Sequence, residues 1–209
     1  MQLQPTLKII EIFPSIQGEG LRQGEATLFC RLSGCNLRCS FCDTKYAWEG
    51  GKNYLISEVL EKIRKISCRF PASWVCLTGG EPLLQDIEEL VRGLKTENFK
   101  VQIETNATRY CSLPVDWYTI SPKPGKYFYQ PEYREKAKEV KIILTKELKF
   151  EHIQRLREEF PPDVPLLLQP QSGKKWSVAL GFEFIKKALK VDLDNIRLSA
   201  QLHFIWGLR

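Results

Sequence analysis

The sequence predicts an α/β protein, an incomplete TIM-type barrel of parallel strands joined by crossover helices, organised as a single domain over residues 1–209. Three observations carry that expectation. Short apolar or alternating runs that read as strands are followed repeatedly by stretches with apolar residues at helical spacing, the alternation that a parallel sheet with crossover helices requires. Polar residues gather at or just after the ends of the strand-like runs, where barrels and open α/β sheets build their sites. The chain has 209 residues, short of the roughly 250 that a complete eightfold barrel takes.

Lys8–Phe13 reads as a first strand ending at Pro14, followed by the loop Gln17-Gly18-Glu19-Gly20. Thr27–Leu32 is the second strand and delivers the chain into a cysteine-rich loop. Ser57 is placed to cap a helix, in which Ile56, Val59, Leu60, Ile63 and Ile66 share one face. Trp74–Thr78 is a short apolar strand running into Gly79-Gly80-Glu81-Pro82, and Ile87, Leu90, Val91 and Leu94 mark the next helix. Phe99–Glu104 alternates with period two, as a strand with different surroundings on its two faces does. Trp117–Ile120, Val140–Leu144, Leu166–Gln169 and Ile196–Ser199 read as the remaining strands, with helices around Arg134–Glu139, Ile153–Phe160 and Phe182–Leu189.

A hydrophobic content of 43% with 27% charged residues is that of a soluble globular protein. No apolar run approaches a membrane span and the start of the chain has no signal-peptide stretch, so a cytoplasmic protein with no membrane partner is expected. Seven cysteines, an odd number with three in one cluster, fit a reducing compartment better than a disulfide framework. Cys30, Cys68, Cys76 and Cys111 are expected to be structural. The net charge is +6, but the lysines between Lys123 and Lys149 are spaced along element surfaces, which reads as a solvated face. Without a nucleic-acid motif or a dense basic stripe, no nucleic-acid partner is expected.

Chemistry concentrates in Cys35-Asn-Leu-Arg-Cys39-Ser-Phe-Cys42, followed at once by Asp43-Thr44. Three thiols within one short loop can aim at a single point, and thiolates are soft ligands suited to zinc or iron-sulfur clusters. A structural zinc site closes with four protein ligands, yet the chain has no second Cys-x-x-Cys and only His152 and His203 as histidines. On a four-iron cluster the shortfall is useful, because three cysteines leave the fourth iron open to a ligand. Two other readings stand beside this one. The thiols could be core residues, against which Gly34, Asn36, Arg38 and Ser40 mark a polar loop; or they could hold zinc, against which stands the missing ligand.

The spacing Cys-x3-Cys-x2-Cys resembles the signature of the radical S-adenosylmethionine (SAM) enzymes, in which Cys35, Cys39 and Cys42 would hold a 4Fe-4S cluster whose open iron chelates SAM. Gly79-Gly80-Glu81-Pro82 resembles the superfamily element that meets the methionine amino group, and Phe41 matches its aromatic position near adenine. The finer resemblance is to the 7-carboxy-7-deazaguanine synthase family. Glu11-Ile-Phe-Pro-Ser-Ile16-Gln17-Gly18-Glu19-Gly20 looks like that family's N-terminal substrate loop, with Ile16, Gln17, Gly18 and Glu19 expected at the substrate. Arg31 falls where the family sets an arginine against the substrate carboxylate, a task suited to a two-pronged guanidinium. Cys42-Asp43-Thr44 looks like its Cys-Asp-Thr, whose threonine joins the substrate in binding Mg2+, a hard cation that prefers oxygen. Thr78 and Gly80 then correspond to substrate and SAM contacts, and Ser121-Pro122-Lys123 to a further SAM segment; Gly79, Glu81, Glu104 and Gln169 complete the expected SAM set. Gln201, His203 and the tail to Arg209 resemble the closing segment, with His203 and Arg209 expected at the substrate. The family more often has glycine where Ala107 stands and lysine where Phe204 stands.

The resemblance implies conversion of 6-carboxy-5,6,7,8-tetrahydropterin to 7-carboxy-7-deazaguanine with loss of ammonia, started by a 5′-deoxyadenosyl radical, with SAM serving as a cofactor. It also implies an external one-electron donor of flavodoxin or ferredoxin type and a homodimer. Two alternatives belong to other classes: a glycyl-radical enzyme activase, and a non-enzymatic iron-sulfur or zinc module that senses redox state. The Gln-Gly-Glu-Gly loop and the lack of extra cluster-binding cysteines argue against the activase.

Overall fold

The computed structural model describes residues 5–208. They form two compact units, one of residues 5–16, 25–105 and 111–117, the other of residues 17–24, 106–110 and 118–208.

The first unit holds strands β1 (Thr6–Ile16), β2 (Ala26–Leu32), β3 (Lys52–Leu55), β4 (Trp74–Gly79) and β5 (Lys100–Thr105), with helices α1 (Ile56–Ser67) and α2 (Glu88–Thr96). Their order in the sheet is β3-β1-β2-β4-β5. β2, β4 and β5 are parallel, but β1 runs antiparallel to both of its neighbours, which corrects the all-parallel expectation. β1 also continues through Pro14 instead of ending there. Pro14 pairs with Leu28 of β2, while β3 accompanies β1 only over Thr6–Ile9; one side of the strand is open at Pro14, so its missing N–H removes no ladder bond. The cap of α1 is Leu55 and not Ser57, because the Glu58 carboxylate accepts from the Leu55 N–H at 2.8 Å. Ile56, Val59 and Ile63 of α1 and Leu90, Val91 and Leu94 of α2 are buried, each contributing about 1.5–3 kcal/mol.

The second unit holds β6 (Trp117–Ile120, from Tyr118 onward), β7 (Ala137–Leu144), β8 (Leu166–Pro170) and β9 (Ile196–Leu198), with helices α3 (Tyr133–Lys136), α4 (Phe150–Glu159), α5 (Lys175–Lys190) and α6 (Leu202–Trp206). The strands run in the order β6-β7-β8-β9 and all are parallel. The helix expected over Arg134–Glu139 is a single turn, since pairing of Tyr118 with Ala137 and Thr119 with Glu139 takes residues 137–139 into β7. β8 is buried along its whole length, as strands covered on both faces are. Arg157 is buried and closes the end of α4, donating to the carbonyls of Val164 at 2.6 Å and Phe160 at 2.9 Å.

All seven cysteines are thiols. Cys30 and Cys76 are buried, and burial pushes the Cys30 thiol up to about 12. Cys68 and Cys111 are exposed, so a structural role falls only to the first two. Among the described residues no helix is long and apolar enough to cross a membrane.

Candidate active site

Sheet register assembles what the sequence scatters. In the first unit Glu11 of β1 stands opposite Arg31 of β2, and Arg31 opposite Thr78 of β4. Leu77 pairs with Ile103, which sets Glu104 of β5 beside Thr78 one position on. Side chains of paired positions share a face, so these four make one polar row at the C-terminal ends of β2, β4 and β5. Two positions deeper on that face lie Phe13, Phe29 and Cys76, a buried apolar layer in which the phenylalanine rings stack at 5.3 Å. Arg31 Nε donates to Glu11 Oε1 at 2.8 Å, and the Tyr46 hydroxyl donates to the same oxygen at 2.9 Å. The guanidinium lies 5.7 Å from the Phe13 ring centroid and 5.8 Å from that of Tyr46. Among the described residues its Nη nitrogens make no hydrogen bond, so one edge is held by protein and the other is open to a carboxylate.

Beyond β2 the cysteine loop begins. The Ser33 N–H donates to the Lys8 carbonyl at 2.9 Å, and the Gln85 amide donates to the carbonyls of Lys8 and Ser33, each at 3.0 Å. Cys35, Cys39 and Cys42 are all half-buried. The Cys42 N–H donates to the Cys39 carbonyl at 3.0 Å, a tight turn that folds the last two thiols together. Burial pushes the Cys35 thiol up, the Leu37 N–H opposes this, and the negative charges of Glu81, Cys39 and Cys42 add to the rise. Three thiols this close together can share one soft cation, whose charge would offset that rise. Phe41 is half-buried in the same loop. Thr44 gives its hydroxyl proton to Asp43 Oδ1 at 2.8 Å, which leaves its lone pairs for a hard cation.

Gly79 and Gly80 seat the loop. Gly80 N–H donates to the Leu32 carbonyl at 3.1 Å and Glu81 N–H to the Gly34 carbonyl at 2.7 Å. Gly79 has φ +133°, and a Cβ there would run into the Leu32 backbone. At Gly80 a Cβ would run into the Gly34 carbonyl. Glu81 is buried, and its Oε1 accepts from Thr105 Oγ1 at 2.7 Å and from the Leu83 N–H at 3.1 Å. Ile16, half-buried at the end of β1, is the residue of the Glu11–Gly20 segment in this unit that is expected at the substrate.

The second unit holds the rest. Gln17 is buried, and a Cβ on Gly18 would lie 2.7 Å from His203 Nδ1, so the histidine packs on the loop backbone. Glu19 pairs with Lys141 and accepts from Gln201 Nε2 at 2.7 Å. Burial opposes its ionisation, but Lys141, Gln201 and the charge of His203 prevail and hold its carboxyl below the ordinary value. Lys141 is itself buried, against the expectation that the lysines of this stretch are solvated. Lys123 donates to Ser121 Oγ at 2.6 Å, and Pro122 is buried. Ala107, where the family favours glycine, has φ +62°; the left-handed backbone persists at a cost of about 1–2 kcal/mol. Arg209 lies outside the described residues. Tyr46 and Lys141 are the members of these networks that sequence reasoning missed, the only trace of Lys141 being a charge set within an apolar run; Glu11 stands in the segment likened to the substrate loop, but its pairing with Arg31 was not foreseen.

Gln169 of β8 is fully buried, and among the described residues neither its Oε1 nor its Nε2 has a partner. An unsatisfied buried amide costs roughly 1–3 kcal/mol, so Gln169→Leu should melt at a higher temperature than the parent without SAM, and the expectation that Gln169 meets SAM predicts that it loses most of the stabilisation SAM confers. Thermal melts with and without SAM read both effects. Equal stabilisation of both proteins by SAM would remove Gln169 from the cofactor site.

The Radical SAM superfamily model matches residues 31–158, more than half of the chain. The 7-carboxy-7-deazaguanine synthase of Rickettsia prowazekii is 36% identical over 213 residues, covering 97% of this chain and 88% of that protein. That of Aquifex aeolicus is 33% identical over 214 residues, covering 95% and 93%. The crystal structure of QueE from Escherichia coli superposes with a TM-score of 0.76 at 28% identity, covering 93% of each chain. The fold is therefore the incomplete TIM-type barrel of the radical SAM kind, as the sequence predicts. The chain belongs to the radical SAM superfamily and, within it, to the family of the 7-carboxy-7-deazaguanine synthases.

The residues present fit the groups this family uses. Three thiols on one turn suit a cluster with an open iron, Gly79 and Gly80 let the cysteine loop pack tightly on the end of β4, and the Gln169 amide has hydrogen-bonding capacity that no group among the described residues fills.

Proposed function

We infer that this chain is a radical SAM carbon-nitrogen lyase that converts 6-carboxy-5,6,7,8-tetrahydropterin to 7-carboxy-7-deazaguanine with loss of ammonia, a step of queuosine and deazapurine biosynthesis. One observation supports it above the others: a guanidinium at the end of β2, gripped on one edge by Glu11 and bare on the other, four residues before the first cysteine. When bound, the 4Fe-4S cluster with SAM supplies the one-electron chemistry that starts hydrogen abstraction. The protein's part is to hold and orient. Arg31 takes the substrate carboxylate with its Nη pair, the Phe13 and Tyr46 rings limit its swing, and Thr78, its neighbour in register, offers a hydroxyl on the same face. Gln17, Gly18 and His203, by the family resemblance, are further substrate contacts. Gly79 and Gly80 in the first unit, and Ser121, Lys123 and Gln169 in the second, are the residues that would hold SAM. Thr44 would hold Mg2+, which would supply neutralisation of negative charge there. The electron comes from a flavodoxin- or ferredoxin-type carrier, and the working assembly is a cytoplasmic homodimer.

The test is an anaerobic assay of reconstituted protein with SAM, reductant, Mg2+ and the carboxypterin. The deazaguanine should form over many turnovers without stoichiometric loss of SAM. SAM cleavage without that product would move the chain to another radical SAM reaction such as glycyl-radical activation, and retained metal without SAM cleavage would make it a binding module. Chelation of Mg2+ should slow product formation about tenfold or more, on the scale of a lost charge-stabilising contact. Thr44→Ala should lower the rate similarly and blunt its response to added Mg2+.

A further inference from the structure

We propose that Glu19, Lys141 and Gln201 form a buried positioning unit that fixes the Gln17–Gly24 loop for the substrate, and that Glu19 acts through this loop and not by touching the pterin. The proposal rests on the reading above and departs from the expectation that Glu19 meets the substrate. β7 presents Glu139 and Lys141 on the same face, two residues apart, and each seizes a different part of the loop. Glu139 Oε2 accepts from the Leu21 N–H at 2.6 Å, while its Oε1 accepts from Thr119 Oγ1 at 2.6 Å. Gly20, at φ +75°, packs on that carboxylate where a Cβ would collide. Lys141 takes Glu19, the two side chains being 9% and 13% exposed.

Gln201 completes the grip, and its orientation is dictated. Its Oε1 accepts from the Ser172 N–H at 3.0 Å, so its Nε2 must face Glu19, to which it donates at 2.7 Å. Ser172 follows Gln169 by three residues. The same segment holds the loop by its backbone as well: Leu202 N–H donates to the Gly18 carbonyl at 2.9 Å, and Gln23 Nε2 donates to the Ala200 carbonyl at 2.6 Å. Each Glu19 oxygen thus has a protein donor, Oε1 from Gln201 and Oε2 from Lys141. A buried ion pair adds little stability over an apolar pair of the same size, whereas removal of one partner strands a charge. What such a pair supplies here is a fixed position, and a loop displaced by about 1 Å can cost on the order of 100-fold in a reaction that depends on orientation.

The experiment compares Glu19→Gln, Lys141→Met, the double variant Glu19→Gln/Lys141→Met and Gln201→Met in the full-length reconstituted enzyme. Each single charge variant should raise KM for the carboxypterin about 10–100-fold with kcat within about threefold. SAM cleavage without substrate should not change. The double variant strands no charge but also lacks the pair that fixes the loop, so KM should recover at least about threefold from that of Glu19→Gln without reaching the parent value. If Glu19 met the substrate through its charge, the double variant would be no better than Glu19→Gln, and the proposal would be wrong. Should the single charge variants fail to fold, Gln201→Met decides: an unchanged KM overturns the unit. Hydrogen exchange of residues 17–24 needs no substrate. Protection should fall in Lys141→Met and in Gln201→Met and return only in part in the double variant; unaltered exchange in both single variants would overturn the proposal. A parent enzyme that makes no deazaguanine would sink the functional reading, and loop exchange would still decide the positioning unit.

Discussion

Cys39→Ala is expected to abolish formation of the deazaguanine. Two thiols cannot hold a four-iron cluster in a loop whose remaining groups, Asn36, Arg38 and Ser40, are not soft ligands. Loss of an outer-shell partner costs a metal site about 10–100-fold; loss of one of three direct ligands should exceed that and leave product undetectable. The visible absorption of the cluster after anaerobic reconstitution should fall with it. Cys68→Ala supplies the control, since that thiol is exposed at the end of α1 and should leave absorption and turnover unchanged. Undiminished turnover in Cys39→Ala protein would refute the cluster assignment, and with it the family's chemistry in this chain.

The cysteine loop was legible in the sequence because its chemistry is written locally: three ligands within eight residues need only one turn, which the Cys42-to-Cys39 hydrogen bond closes. The strands were legible for a similar reason, since their cores alternate or run apolar over a few residues. The Glu11–Arg31–Thr78–Glu104 row could not be read, because it exists only once four strands adopt a register that no short stretch encodes. Direction was hidden too. β1 looks like any other strand, and nothing in Lys8–Phe13 says that it runs against β2. Lys141 misled because a lysine inside an apolar run is normally a solvent-facing residue of a half-covered strand, whereas β7 is covered on both faces and the charge meets Glu19. Arg134–Glu139 misled in the opposite sense: its residues favour a helix, and pairing with β6 pulled its second half into the sheet.

Arg31→Lys and Arg31→Met should be the most damaging substitutions outside the cluster loop, and they separate charge from shape. Truncating one partner of a buried, hydrogen-bonded charge pair costs about 2–5 kcal/mol, or roughly 30- to 4000-fold in kcat/KM at 1.4 kcal/mol per factor of ten. Arg31→Met should fall toward the upper end of that range, because Glu11 loses its cation as the substrate carboxylate loses its clamp. Arg31→Lys keeps the charge but cannot bond Glu11 by Nε while presenting two further nitrogens in one plane, so it should fall about 100-fold, chiefly through KM. Either substitution also unsettles Glu11, so the rate alone cannot prove contact with substrate. A cycle between residue and ligand can. Against tetrahydropterin lacking the 6-carboxylate, measured as a competitive inhibitor, Arg31→Met should bind about as well as the parent, since the interaction is already absent from the ligand. If instead the two losses add in full, the guanidinium serves the sheet alone, and some other cation must receive the carboxylate.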